Sequence, residues 1–393
     1  MKLGIISDSP LLTTGFGVEA YQVASALAEA GHDVVCFGLK GRAGDKADGI
    51  FRVWNVDPAS RWDLLLKRFF RQEQPEKLII LIDLFNLREI ITYCQAAAWS
   101  GTTILYLTPD GLPAYDVYID LLRQVDHCVV TTKTCKQYLS SCDIPVWGIA
   151  PPGVDAELFK PLPYRNQLRQ AAGLADRFVV GVFGRNCERK QQPRVLQALA
   201  NLADPEVVVY FHCQKRGYWH LDELAHELGV ADQVIFAELK SELQGIAYIG
   251  CSLVNANNRP NRSALQMPPG YGYIERINCC DLIINATHCG DFEHIIIEAQ
   301  ACGVPLAHTH DGGIMTEAVG NGGLLLRSLD VSWGRIGQRI YLVDPQAIAE
   351  AIRSVKQDPA LRQQLQQCGL DNVKQYRWSH LRETMVQLVE TPA

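Results

Sequence analysis

The sequence predicts an α/β protein of two domains, each built on a parallel sheet with helices on both faces. Two observations support this prediction. The chain has 393 residues, which is more than one hydrophobic core usually supports. Short apolar runs also alternate along the chain with amphipathic stretches of helical length, and such alternation is typical of parallel sheets.

The first half opens with a strand, a helix and a second strand. Further strands follow, and apolar helices are predicted between them. The predicted elements are a strand at 3–7, a helix at 18–30, and strands at 32–38, 77–83, 103–107, 127–131 and 146–149. Ligands of parallel sheets bind beyond the carboxyl ends of the strands. The loop Thr108–Pro113, with Asp110 at its centre, is therefore a candidate site loop, although Pro-Asp-Gly is also a strong turn former.

A glycine motif follows the first strand. The run Gly15-Phe16-Gly17-Val18-Glu19-Ala20 fits the dinucleotide-binding pattern G-x-G-x-x-A. Two features argue against that interpretation: the first glycine stands well beyond the strand, and the second strand ends in Gly38-Leu39-Lys40 without the expected acid. One alternative is a glycine turn at the start of a helix. Another is a glycine loop whose backbone can come close to a pyrophosphate, because glycine has no side chain.

The second half begins after a proline-rich stretch, Pro151–Pro161, whose composition is that of a linker. A strand is predicted at 178–183 and a helix at 193–202, with the basic loop Gly184–Lys190 between them. Arg185 and Lys190 at the end of this strand can neutralise a diphosphate. A solvated basic loop is the alternative, because that is the usual environment of these side chains.

The central window of the second half is Asp281–Pro305. An apolar strand at 282–284 leads through a polar loop into a helix predicted at 293–302. Free backbone N–H groups and the helix dipole favour an anion at such a helix start. Glu298 lies one turn further in, where a carboxylate can accept from the two hydroxyls of a ribose. On these residues alone, an ordinary strand–helix unit with a surface glutamate is the favoured interpretation.

The window resembles the donor-binding segment of retaining GT-B glycosyltransferases, the group 1 enzymes or family 4. That family has a Glu, seven residues, a second Glu, and a small-residue run that ends in Gly-x-Pro. Glu298–Pro305 fits the second part, and Phe292 matches the family's Phe. Gly290 stands where the family has its first Glu, which is implied to touch the donor sugar. We expect Asp291, one residue displaced, to replace it.

Three further motifs carry the resemblance. Pro151–Pro161 is similar to the family's P-x-G-V-D-x-x-x-F-x-P segment, Arg185 and Lys190 match its Gly-Arg and following Lys, and Tyr376–Ser379 resembles its crossover. The resemblance implies two Rossmann-like domains facing a central cleft, at 1–160 and 161–378, with a terminal helix at 379–393 returning to the first domain.

The implied reaction transfers a sugar from a nucleotide-diphosphate-sugar to an acceptor hydroxyl with retention of configuration. No metal and no cofactor are expected. Arg185 and Lys190 are implied to hold the diphosphate, which makes them candidate catalytic residues together with Asp110 and Asp291. The residues implied to bind the donor are Gly15, Gly17, Arg185, Lys190, Phe292, His294, Ile295 and Glu298. Two rival classes stay open: a non-catalytic nucleotide-sugar-binding relative, because of Gly290, and an NAD(P)-dependent oxidoreductase.

Composition narrows the class of protein further. The formal charge of −6 argues against nucleic-acid binding. The 13 cysteines contain no C-x-x-C pair, which predicts reduced thiols in a cytoplasmic protein.

His308 and His310 form an H-x-H pair, but no third ligand is evident, so metal binding is the weaker interpretation. No membrane span or signal peptide is expected, and peripheral membrane association stays compatible. Residues 246–272 are predicted to form a long polar excursion.

Overall fold

The computed structural model describes residues 1–41, 49–237 and 271–391. Most of the predicted excursion at 246–272 therefore lies outside the described residues. Two parallel sheets form the centres of two domains, which confirms the predicted α/β fold with two Rossmann-like units. Among the helices in the described ranges, none combines the length and apolar character needed to cross a bilayer.

The first domain holds a seven-stranded sheet in the order β3-β2-β1-β4-β5-β6-β7, with every pairing parallel. Its strands are β1 (Lys2–Asp8), β2 (Asp33–Leu39), β3 (Arg52–Val56), β4 (Lys77–Asp83), β5 (Thr102–Thr108), β6 (His127–Val130) and β7 (Gly148–Ile149). Its helices are α1 (Gly15–Glu29), α2 (Trp62–Glu73), α3 (Leu84–Ala96), α4 (Asp116–Leu122) and α5 (Lys133–Ser141). The central strands are apolar because helices cover the sheet on both faces.

The second domain holds a six-stranded parallel sheet in the order β10-β9-β8-β11-β12-β13. Its strands are β8 (Phe178–Phe183), β9 (Val207–His212), β10 (Val234–Phe236), β11 (Leu282–Asn285), β12 (Leu306–Thr309) and β13 (Gly323–Leu326). Its helices are α6 (Arg165–Ala171), α7 (Gln192–Leu202), α8 (Leu221–Glu227), α9 (Tyr273–Asn278), α10 (His294–Ala301), α11 (Ile314–Val319), α12 (Pro345–Gln357) and α13 (Pro359–Asn372). Short 3₁₀ turns lie at Glu188–Lys190, Ala231–Gln233 and Val373–Gln375.

An antiparallel hairpin leaves the second domain and reaches the first. It consists of β14 (Ser328–Trp333) and β15 (Arg339–Val343). The side chain of Ile336, at its tip, is fully buried in the hydrophobic core of the first domain. The backbone N–H of Tyr115 donates to the carbonyl oxygen of Ile336 at 2.7 Å. The sequence predicted only a strand edge at 341–343, so this hairpin is an addition to the prediction.

The last helix, α14 (Trp378–Glu390), returns to the first domain. Its Leu381, Met385 and Leu388 lie in the same buried cluster as Leu3 and Ile5 of β1. Helix α13 ends at Asn372, and the 3₁₀ turn together with an extended Arg377 separates it from α14, which lets the chain change domain.

The two chain crossings between the domains lie side by side. The backbone N–H of Val154, in the proline-rich linker, donates to the carbonyl oxygen of Tyr376 at 3.0 Å. Glu317 of the second domain adds a further contact, because its carboxylate accepts from the backbone N–H groups of Lys133 and Thr134 at 3.0 and 3.1 Å. These contacts set the position of one domain relative to the other and so the shape of the cleft.

Candidate functional site

A cavity of about 190 Å³ lies between the two domains, at the carboxyl ends of both sheets. We call it the interdomain cavity. Its first-domain wall consists of Gly15, Phe16, Glu19, Asp83, Thr108 and Asp110. Its second-domain wall consists of Arg189, Gly290, Asp291, Phe292, Glu293 and His294. The cavity therefore brings together five of the ten candidate site residues, namely Gly15, Asp110, Asp291, Phe292 and His294. It occupies the place where parallel sheets bind ligands.

Two helices begin at this cavity, one from each domain. Helix α1 begins at Gly15, and the side chain of Thr14 caps it by accepting from the backbone N–H of Gly17 at 3.1 Å. Helix α10 begins at His294. A Cβ at Gly15 would lie 3.8 Å from the His294 ring, so the two helix starts face each other at short range. Both present positive dipole ends to the same space.

Gly17 has a different role from Gly15. A Cβ at this position would lie 2.5 Å from the carbonyl oxygen of Leu12 and 2.9 Å from that of Ser9. Such contacts are too close for any side chain, so the turn before α1 requires glycine. The structure thus gives Gly17 a structural function in the turn, while its predicted part in donor binding stays a prediction.

Glu293 is held by two cations, the half-buried Arg189 and the buried Lys190. Its carboxylate accepts hydrogen bonds from the guanidinium of Arg189 and from the ammonium of Lys190, and the Lys190 and Glu293 side chains are both buried. Burial by itself raises the pKa of Glu293, but the charges of Arg189 and Lys190 outweigh burial and lower it. Glu293 is therefore ionised, and it pairs with Lys190, which is one of the two cations that the sequence assigned to a diphosphate.

The second cation at this position is Arg189 and not the predicted Arg185. The side chain of Arg185 is exposed, and its carbonyl oxygen accepts from Gln192 at 2.8 Å. The 3₁₀ turn at Glu188–Lys190 brings Arg189 to the cavity wall. The sequence offered a signal for Arg189, since it lies in the same basic loop. A role of Arg185 in diphosphate binding stays a prediction.

Two acids of the first-domain wall lie at the ends of neighbouring strands. Asp83 ends β4, and Asp110 follows β5 in the predicted site loop. Burial and then the charge of Asp110 raise the pKa of Asp83 to about 7. Burial also raises the pKa of Asp110, although Arg189 opposes the shift. Asp83 was not predicted, but its position at the carboxyl end of a predicted strand was an available signal.

Asp291 is buried between the domains. Its Oδ2 accepts a hydrogen bond from Thr131 of the first domain at 2.5 Å, and its Oδ1 has no hydrogen-bond partner among the described residues. Burial raises the pKa of Asp291 well above its usual range, and Glu19 and Asp110 add to this shift while Thr131 opposes it. Asp291 is itself part of the cavity wall. Its predicted contact with the donor sugar stays a prediction.

The environment of Gly290 shows why a larger residue is disfavoured there. A Cβ at this position would lie 3.2 Å from Met315 Sδ, 3.3 Å from Arg189 Nη1 and 3.6 Å from Glu293 Oε1. A longer side chain would displace the ion pair. Apart from its chain neighbour Asp291, the carboxylate nearest to a Cβ at position 290 is that of Glu293, which the sequence argument did not consider as a replacement.

His294 and Glu298 both lie on α10 and are buried. His294 Nε2 lies 3.0 Å from Glu19 Oε1 of the first domain. Burial opposes the charged form of His294, but Glu19 outweighs it and raises the pKa. Glu298 Oε2 accepts from the Tyr273 hydroxyl at 2.8 Å, and burial raises the pKa of Glu298 to about 7. The roles predicted for both residues stay predictions.

The remaining predicted residues lie close by. The Phe292 ring lies edge-on to His294, with ring centroids 6.0 Å apart. Ile295 is buried in the core of the second domain, and its backbone belongs to the first turn of α10. Within the residues that the structure describes, no group of three or more His, Cys, Asp or Glu side chains is arranged to hold a metal ion.

The fold matches solved glycosyltransferase structures over the whole chain. Sucrose-phosphate synthase of Thermosynechococcus elongatus superposes with a TM-score of 0.74 at 17% identity, covering 99% of this chain and 98% of that one. Anabaena HepE, in complex with UDP and glucose, superposes with a TM-score of 0.72 at 17% identity and full coverage of both chains. The chain therefore has the GT-B fold.

Curated proteins are also similar in sequence. The D-inositol 3-phosphate glycosyltransferase of Stackebrandtia nassauensis is 26% identical over 252 residues, which cover 61% of this chain and 47% of that protein. A GDP-mannose-dependent phosphatidylinositol monomannoside mannosyltransferase of Mycolicibacterium smegmatis is 28% identical over 212 residues, covering 53% and 47%. No protein-family model matches the chain.

The two parallel sheets and the cavity between them are those of a GT-B protein. The similarity in sequence confirms the resemblance to the group 1 glycosyltransferases. The matched region spans about half the length of these curated relatives.

Proposed function

We propose that the protein is a glycosyltransferase that moves a sugar from a nucleotide-diphosphate-sugar to an acceptor hydroxyl, with retention of the anomeric configuration. One observation carries the proposal. The starts of α1 and α10 face each other across the interdomain cavity. A Cβ added to Gly15 would lie 3.8 Å from the His294 ring. Two helix dipoles and two neighbouring cations, Arg189 and Lys190, suit a diphosphate.

The proposed chemistry is stabilisation of a leaving group. As the bond between the sugar and the diphosphate breaks, negative charge grows on the phosphate oxygens. The N–H groups of the first turn of α10 and the cations Arg189 and Lys190 stabilise that charge in a site removed from bulk water. Glu298 then binds the ribose hydroxyls, and Asp291 and Asp110 lie on the side where the sugar and the acceptor meet.

Glu293 places a condition on this mechanism. Its carboxylate already pairs with Lys190 and Arg189, so the diphosphate has to share these cations or displace Glu293 from them. Two cations and one carboxylate leave a net positive charge of one for the donor. The proposal thus includes a small movement of Glu293 when the nucleotide binds.

The comparisons support a nucleotide-sugar donor but leave its base open. A sequence relative is named for GDP-mannose, and one structural neighbour was solved with UDP-glucose. Titration with both nucleotide series identifies the base.

A nucleotide-sugar-binding protein without transfer activity is the second candidate. Gly290 favours it, because the position lacks the carboxylate that the family resemblance implies beside the donor sugar. An oxidoreductase is less well supported, since Lys40 lies where an acid is expected and pairs with Asp8 at 2.8 Å.

The test combines binding with turnover. Purified protein is titrated with UDP, GDP and their glucose and mannose adducts, and donor hydrolysis and the anomer of any transferred sugar are followed by NMR. We expect one nucleotide series to bind and its sugar adduct to be hydrolysed slowly with retention. Binding without hydrolysis or transfer supports the second candidate, and absence of binding in both series contradicts the proposal. Lys190→Ala serves as the site variant, with the exposed Lys67→Ala as its control.

A further inference from the structure

The interdomain cavity holds more acids than its own cations can balance. Five carboxyl groups line it, from Glu19, Asp83, Asp110, Asp291 and Glu293, against the guanidinium of Arg189 and the imidazole of His294. Two of the five are paired: Glu293 with Arg189 and Lys190, and Glu19 with His294.

The other three, Asp83, Asp110 and Asp291, have no ion pair within the described ranges. Lys40 and Arg335 also interact electrostatically with Asp83 and Asp110, respectively, but each of these cations contacts another group. Lys40 pairs with Asp8 at 2.8 Å, and the guanidinium of Arg335 lies 3.7 Å from the centre of the Phe85 ring. The acids of the first-domain wall are therefore left without close compensation.

Two buried carboxylate oxygens at the cavity also lack a hydrogen-bond partner. Asp291 is 5% exposed and Glu19 is 3% exposed, yet Asp291 Oδ1 and Glu19 Oε2 accept no hydrogen bond from the part of the chain that the structure describes. A buried acceptor without a donor is costly. Because both residues line the cavity, the missing donors are best supplied by a ligand.

The chemistry of the required ligand follows from these charges. A hydroxyl donates one hydrogen bond and offsets no charge, whereas an ammonium group donates three and carries a positive charge. Burial raises the pKa of Asp83 to about 7 and also raises that of Asp291, so burial disfavours the ionised form of both carboxyls. A bound cation favours their ionised form.

We propose that the interdomain cavity binds a primary ammonium group on a sugar-sized ring, held by Asp83, Asp110 and Asp291. The inference rests on the proposed function, because it assigns this amine to one of the two substrates of that reaction. The volume of about 190 Å³ is below the ~300–1,000 Å³ of pockets for drug-sized ligands, which suits a single ring.

The charges divide the cavity into two parts. The Arg189 and Lys190 side belongs to the second domain and suits the diphosphate. The Asp83 and Asp110 side belongs to the first domain and suits the amine. Asp291 lies between them, since it is on the second-domain wall but bonds to Thr131 of the first. The amine is carried either by the acceptor or by the transferred sugar of the donor.

The experiment compares matched pairs of ligands by calorimetry. In the acceptor arm, the intact protein with saturating UDP or GDP is titrated with glucosamine, galactosamine and mannosamine, each against its N-acetyl form. In the donor arm, UDP-glucosamine is compared with UDP-N-acetylglucosamine. The variants are Asp291→Asn, which keeps the shape of the side chain, and Asp83→Asn. The exposed Asp143→Asn is the control, since its left-handed backbone (φ 58°) tolerates asparagine.

We expect at least one amine to bind about tenfold tighter or more than its N-acetyl partner, as a charge-assisted bond predicts. Both site variants should reduce this preference to about threefold or less, while Asp143→Asn keeps it. Equal binding within every pair, no binding of any amine in either arm, or a preference that survives both site variants overturns the inference. Titration with UDP and GDP alone separates the two proposals. Nucleotide binding without a preference for amines leaves the proposed function standing. A preference for amines without nucleotide binding contradicts the proposed function.

Discussion

Glu19 and His294 lie on opposite sides of the domain boundary, and their side chains approach to 3.0 Å while both are buried. The two residues are 275 positions apart in the chain. They also occupy the starts of the two helices that face the cavity, so this pair fixes the distance between the predicted phosphate-binding elements.

Glu19→Gln should destabilise the protein in a pH-dependent way. The pKa of His294 in the folded protein is raised by Glu19 against the effect of burial. The stabilisation is therefore complete below pH ~6.5 and fades as the pH rises through the folded pKa. We expect a loss of about 1–3 kcal/mol at pH 5.5 and a smaller one at pH 8.5, measured by urea unfolding. The exposed Glu29→Gln, on the same helix, should change stability by less than about 1 kcal/mol. An equal loss at both pH values for Glu19→Gln contradicts the argument.

Glu293→Gln should lower stability and raise affinity for nucleotide diphosphates. Removing the carboxylate leaves Lys190 and Arg189 without their ionised partner, which costs about 3 kcal/mol or more for a buried pair. A bound diphosphate supplies the missing charge, so the thermal stabilisation by saturating UDP or GDP should be larger in the variant than in the wild type. Thermal unfolding with and without nucleotide measures both effects. A variant of full stability, or one stabilised less by nucleotide, would show that these cations do not face the ligand.

Glu298→Gln should remove the pH dependence of donor binding. The pKa of Glu298 is about 7, so its carboxylate is mostly protonated at pH 6 and mostly ionised at pH 8. If the ionised form binds the ribose, donor affinity in the wild type should rise about tenfold or less between these pH values. The variant should bind the donor more weakly by about 1.5–3 kcal/mol at pH 8, without that rise. Calorimetry with a nucleotide-sugar, whose phosphates do not titrate in this range, measures the difference. A loss confined to the sugar adduct, with free nucleotide unaffected, places Glu298 at the sugar instead.

Ile336→Ala should destabilise the protein by about 2–5 kcal/mol, because the hairpin tip fills a fully buried position in the first domain. The control is Leu329→Ala on strand β14 of the same hairpin, where the side chain is 63% exposed and the change should stay within about 0.5 kcal/mol. Chemical denaturation compares the two. Similar stabilities for both variants would mean that the hairpin tip is not packed in solution.

The strands of both sheets could be predicted because burial on both faces makes them continuous apolar runs. The predicted strand at 3–7 lies within the observed Lys2–Asp8, for example. Strand β3 was missed because it lies at the sheet edge and four of its five residues are partly or fully exposed. The hairpin was missed for a similar reason, since Leu329, Val331 and Trp333 are apolar but exposed.

The candidate site could be located from the sequence, but not its internal pairings. Glycine turns and strand ends indicated the right loops. The choice between Arg185 and Arg189 depends on a 3₁₀ turn and on the left-handed Gln191 that follows it (φ 48°), and no local pattern specifies that geometry. The pairing of Glu293 with Lys190, 103 positions away, depends on how β8 and β11 lie side by side, which only the folded sheet determines.

Helix α14 has a consequence for how the protein is made. The first domain leaves the ribosome early, but its core includes Leu381, Met385 and Leu388, which are translated after the whole second domain. At about 5–20 residues per second, the ~220 residues between the linker and this helix take roughly 10–45 seconds. During that interval the nascent first domain exposes the apolar groove that α14 later fills. We therefore expect the nascent chain to be prone to aggregation until α14 docks. A chain that ends before α14 should form both sheets but leave this groove exposed to water.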